Sequence, residues 1–117
     1  MITQAQSRMS TRDRKLAKEL KEKLSSIAGN RLIEIIVYGS RARGEGLADS
    51  DLDVAVIVDR RTPELEKALE DATYQIMWEH DFSPIISLKI FGEGHFKDAL
   101  QKGFSFYRHL AKEGVSV

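Results

Sequence analysis

The 117-residue chain contains no cysteine, which excludes disulfides and thiolate metal sites and leaves the redox compartment open. It also lacks an excess of either charge, with 18 basic and 18 acidic residues. That balance excludes a generic nucleic-acid coat, whose footprint is a basic surplus, and makes nucleic acid an unexpected partner. No apolar run approaches the roughly 20 residues that span a bilayer, so no membrane is expected. The first residues, Met1 to Arg14, are polar and lack the apolar core of a signal peptide. A cytoplasmic location is therefore expected. Repeats and low-complexity linkers are missing too. What is present is 42% hydrophobic and 31% charged, the composition of one soluble globular domain.

Residues 1 to 10 read as a flexible lead-in and 11–117 as a single domain. From Thr11, Leu16, Ala17, Leu20, Leu24, Ile27 and Ala28 recur at three- and four-residue spacing, an amphipathic helix that Gly29-Asn30 stops. Leu32 to Tyr38 and Leu52 to Val58 are short, apolar and β-branched, and read as buried strands. Thr62-Pro63 opens a second helix to about Trp78, with Thr62 as N-cap. Pro84 to Ile90 is a third strand, His95 to Lys102 and Phe104 to Lys112 are helical, and Gly114 to Val117 adds an edge strand. The order predicts an α/β fold, a small mixed β-sheet flanked by α-helices.

The chemistry is concentrated between the first two strands. Gly39 lets the chain turn sharply after Tyr38, and Ser40 then offers a hydroxyl and an exposed N–H where a short helix begins at Arg41 or Ala42. Such a point favours phosphate, and Arg41 or Arg43 adds forked donors for the same anion. Asp51 and Asp53, one residue apart at the start of a strand, project from the same side. Two adjacent carboxylates attract a hard cation such as Mg2+, which takes one or two carboxylates plus phosphate oxygens. Each feature alone is unremarkable; a plain turn and solvated acids are the commoner readings. Glu45 and Asp49 read as surface acids, and Lys89 as either a phosphate contact or a solvated strand residue. His80, His95 and His109 have no metal-ligand spacing.

Gly39-Ser40, ten residues, then Asp51-x-Asp53 resembles the DNA polymerase β-like nucleotidyltransferase superfamily. Gly39-Ser40-x-Ala42-x-Gly44 with Ser50-Asp51-Leu52-Asp53 is similar to its minimal nucleotidyltransferase (MNT) branch, as is the ending Phe106 to Val115. The resemblance implies the nucleotidyltransferase fold and transfer of a nucleoside monophosphate, AMP from ATP in the first instance, to an acceptor hydroxyl. It implies Asp51 and Asp53 as catalytic and metal-binding acids, with two Mg2+ ions in an active member. Gly39, Ser40, Arg41 and Arg43 would bind the nucleotide. Several MNT proteins are antitoxins that modify a HEPN-domain partner by adding AMP, so a HEPN-domain protein is an expected partner. A homo-oligomer is left open.

One departure stands out. Active members carry a third carboxylate on a later strand, and Ser83 to Ile90 contains no acid. Asp81 lies just before it, and Ser83 or Ser87 offers only a neutral hydroxyl. The alternative reading is thus a catalytically degenerate module that neutralises its partner by contact.

Overall fold

A computed structural model describes residues 8–117 of the chain. The elements are α1 (Thr11–Ala28), β1 (Leu32–Tyr38), β2 (Leu52–Val58), α2 (Pro63–Glu79), β3 (Ile86–Gly92), α3 (Glu93–Gln101), α4 (Ser105–Glu113) and β4 (Val115–Ser116). They build a four-stranded sheet in the order β3-β2-β1-β4. β1 runs antiparallel to β2 and β4, whereas β2 and β3 are parallel and joined by the crossover helix α2. The mixed sheet between helices is the α/β architecture that the sequence predicts.

Side-chain alternation along the strands sorts the two faces. Ile35, Val37, Leu52, Val54, Val56, Ile86 and Ile90 pack with Leu20 and Leu24 of α1 and Leu69 and Ile76 of α2 in the larger core. Ile36, Ala55 and Ile57 face the other way, where Phe96 of α3 and Leu110 of α4 complete a smaller one. Apolar stripes at helical spacing face sheet surfaces of matching hydrophobicity, and burial of that area is the main driving term.

Helix ends follow local chemistry. The Ser10 hydroxyl accepts from the Asp13 amide at 3.0 Å, and the Thr62 hydroxyl from the Leu65 amide at 3.1 Å. Gly29, with φ of 56°, closes α1 in a backbone conformation that residues bearing a Cβ adopt reluctantly. The expected lead-in lies mostly outside the described residues, but Met9 belongs to the larger core. β3 begins two residues later than its expected start and runs to Gly92, which opposes Val58. Asp81 and Phe82, both with φ near +55°, turn the chain ahead of it. Ile27 is exposed, as is Trp78, which sequence periodicity leaves undecided between core and interface.

Candidate active site

The site grows from the junction of β1 and β2. Tyr38 and Asp53 are cross-strand partners, so both side chains emerge on the face that carries α3 and α4. Gly39 follows with φ of 80°, the left-handed region. A Cβ there would sit 2.5 Å from Asp53 Oδ2, so the carboxylate lies directly against the bare glycine backbone. Glycine is required twice over, by torsion and by space.

After Gly39 the chain makes a run of turns rather than the short helix expected at Arg41 or Ala42. The amides of Ala42, Arg43, Gly44 and Glu45 return to the carbonyls of Gly39, Ser40 and Arg41, and Gly44 at φ of 73° ends the run. A left-handed residue after so few turns leaves no length for a helix. The amides of Ser40 and Arg41 donate to no protein group among the described residues. Consecutive amides left without a protein acceptor suit an anion.

Asp51 and Asp53 share one side of β2, with Leu52 between them buried in the larger core. Asp53's carboxyl is held above its ordinary range, first by burial and then by the Asp51 charge, with Lys89 pulling the other way. The Asp51 charge thus reaches Asp53, and a cation between the two would relieve the repulsion. Burial, and then the Asp53 charge, push the Tyr38 phenol up to about 12, and its buried hydroxyl has no hydrogen-bond partner among the described residues.

The strand register decides what stands opposite the acids. On β3, Ser87 pairs with Asp53 and Lys89 with Ala55. Paired residues of adjacent strands share a face, so the position across from Asp53 holds a neutral hydroxyl, with a cation beyond it. Asp81 does not complete the set: it is exposed in the α2–β3 turn, and no group of three metal-ligating side chains occurs among the described residues. Two such carboxylates would suit one magnesium ion, which typically takes its remaining ligands from phosphate and water. They do not supply the acids that would hold two ions unaided.

The two arginines separate cleanly. Arg41 departs from the expected phosphate contact: Nη1 donates to both carboxylate oxygens of Asp13, at 3.0 and 3.1 Å. Its Nε donates to the Ser50 carbonyl at 2.7 Å, and its Nη2 to those of Leu47 and Ala48 at 3.3 and 2.8 Å. With every nitrogen of the guanidinium engaged and the side chain largely buried, Arg41 has no fork left for an anion. Arg43 is half-exposed, paired with Glu45 at 3.0 Å and more loosely with Glu113 at 3.9 Å. Such surface pairs are weak enough for a phosphate to displace. Arg43 and Gly39 line one wall of a cavity of about 360 Å³, and Phe106, His109 and Glu113 of α4 line the other. A larger groove of about 790 Å³ runs along α1 beside Lys18 and Lys21 and holds none of the motif's residues.

Sequence reasoning overlooks Asp13, because an acid in a helix's first turn reads as a dipole partner. The remaining acids and histidines behave plainly. Glu45 and Asp49 are on the surface, His80 caps α2 and contacts Glu19 at 3.0 Å, and His109 contacts Glu113 at 3.0 Å. Among the described residues no helix is long and apolar enough to cross a membrane.

The chain is similar to known proteins. Residues 13–108 match the family described as the nucleotidyltransferase domain. A protein of Methanocaldococcus jannaschii named "Putative protein adenylyltransferase" is 34% identical over 77 residues, which is 63% of this chain and 78% of that protein. No solved structure matches at comparable stringency. With the matched region spanning the acid pair, the glycine turn and all three long strands, the chain belongs to the nucleotidyltransferase domain family as one of its minimal members.

Proposed function

We propose that the protein is a magnesium-dependent nucleotidyltransferase that moves AMP from ATP to a hydroxyl of a partner protein. In this reading it acts in the cytoplasm as the MNT antitoxin of a HEPN-domain partner. The observation that carries it is the placement of Asp53 against Gly39, beside Asp51 and next to the Ser40-turn amides that donate to no group among the described residues. Asp51 and Asp53 hold the metal–nucleotide, while the Ser40 and Arg41 amides and the Arg43 guanidinium hold the β- and γ-phosphates. Bound magnesium supplies charge neutralisation for the transferring phosphoryl group. The acceptor oxygen bonds to the α-phosphorus as the bond to the leaving pyrophosphate breaks. Because Ser87 rather than a carboxylate stands opposite Asp53, the acceptor's proton passes to water. Acceleration then comes from positioning and electrostatics. The name of the archaeal relative supports protein as the acceptor.

The test is the intact mass of the co-expressed HEPN-type partner with ATP and Mg2+. An added AMP mass, absent with Asp51→Asn, is the expected result. An unmodified partner with both proteins contradicts it.

A second reading has its own observations. A neutral Ser87 and a cationic Lys89 on the acid face suit a module that retains nucleotide but transfers slowly or not at all. Tyr74 and Trp78, 55% and 62% exposed, meet Phe82 edge-on with ring centroids 5.4 and 6.0 Å apart. A contiguous exposed aromatic patch suits contact with a partner protein. In that case the complex survives Asp51→Asn and Asp53→Asn.

A further inference from the structure

Asp13 is one of two buried polar side chains of the described fold, 3% exposed, and the phosphate and metal chemistry does not use it. Its carboxylate grips Arg41, and Arg41 in turn gathers three carbonyls of the loop ahead of β2, those of Leu47, Ala48 and Ser50. The Ser50 carbonyl belongs to the peptide that leads into Asp51. On the other side of Asp51, the Leu52 amide donates to the Ile85 carbonyl at 2.8 Å. Asp51 is therefore held between two fixed peptides, one anchored to Ile85 just ahead of β3 and one to α1 through the ion pair. The loop closes further on itself, with the Ser50 amide bonded to the Leu47 carbonyl at 3.0 Å and the Leu47 amide to Ser50 Oγ at 2.9 Å. Gly46 makes room for this arrangement, since a Cβ there would lie 2.8 Å from Arg41 Cγ.

We propose that Asp13 and Arg41 are positioning residues that set Asp51 beside Asp53, so that α1 takes part in assembling the metal site. The inference rests on reading Asp51 and Asp53 as the metal-site acids. A planar five-donor fork spans Asp13 and three carbonyls at once, and lysine, a single point of charge, does not. A buried pair that only stabilised the fold would have no reason to converge on the peptide before Asp51.

Arg41→Lys in the full chain separates these roles, because it keeps a cation beside Asp13 and so keeps the fold. Two quantities are read: Mn2+ binding to the nucleotide-free protein by electron paramagnetic resonance, and amide hydrogen exchange across residues 47–52. The expected result is Mn2+ affinity about tenfold weaker, as for lost groups that orient metal ligands. Exchange at 47–52 speeds by about tenfold or more as that segment opens locally, while β1 keeps its protection. Wild-type Mn2+ affinity in the variant overturns the inference, whatever the exchange does. Unchanged exchange at 47–52 overturns it as well. If the wild-type protein takes no Mn2+ even with a non-hydrolysable ATP analogue present, the reading of Asp51 and Asp53 as metal-site acids fails, and the exchange at Ser50 and Leu52 alone still decides whether the pair positions that segment.

Discussion

Gly39 is the residue on which most depends. Its φ of 80° and the 2.5 Å that a Cβ would leave to Asp53 Oδ2 make Gly39→Ala costly in two ways. The backbone term alone is about 1–2 kcal/mol, and the displaced carboxylate takes the metal site with it. Thermal unfolding should show the loss of stability, and nucleotide titration in Mg2+ should show lost binding. Asp53 itself carries a pH dependence with a definite sign. Its folded carboxyl lies above the usual carboxylate range, so the folded state binds the proton more tightly than the unfolded chain. Between the unfolded and folded values stability therefore falls as pH rises, and the deficit is fully present at neutral pH. Without Mg2+, Asp53→Asn should unfold at a higher temperature than wild type at pH 7. That advantage should shrink as pH falls through the raised carboxyl value towards 3.8. The motif residues were legible in the sequence because their spacing fixes them on adjacent strand ends. Arg41 was not, since a guanidinium beside a phosphate turn and one engaged by a buried acid 28 residues away look identical in sequence.

At the scale of elements, β1 and β2 were readable to the residue, because seven-residue β-branched runs have only one way to be buried. β3 was readable in kind but not in register, and register decides who faces Asp53. The parallel pairing of Asp53 with Ser87 is a tertiary fact, fixed where the two strands meet rather than within either one. It makes Ser87→Asp a direct test of what the site lacks. The new carboxylate should lower the unfolding temperature without Mg2+, through repulsion with Asp51 and Asp53, and raise transfer by about a hundredfold with it. Steady-state rates and melts with and without Mg2+ check both halves. Thr62→Ala removes the cap of α2 and should cost about 1 kcal/mol, read as a drop in unfolding temperature.

For the whole molecule, the sheet divides labour. One face packs under α1 and α2 into the larger core, and the other carries the acids, Ser87 and Lys89 beside α3 and α4. This division was implicit in the strand alternation. The exposed aromatics at the end of α2 were not, because a helical stripe of apolar residues does not say where the core stops covering it. If Trp78 and Tyr74 meet the partner protein, Trp78→Ala should weaken that complex about tenfold or more, as truncated interface aromatics do, while leaving its own unfolding temperature nearly unchanged. The proposed function itself rests on the acid pair Asp51 and Asp53. Calorimetric titration of ATP with Mg2+ into wild-type protein and into Asp51→Asn tests it most directly. Saturable, magnesium-dependent binding that Asp51→Asn abolishes is expected, and binding that is absent from wild type or unchanged in the variant contradicts the nucleotide site built on Gly39, Asp51 and Asp53.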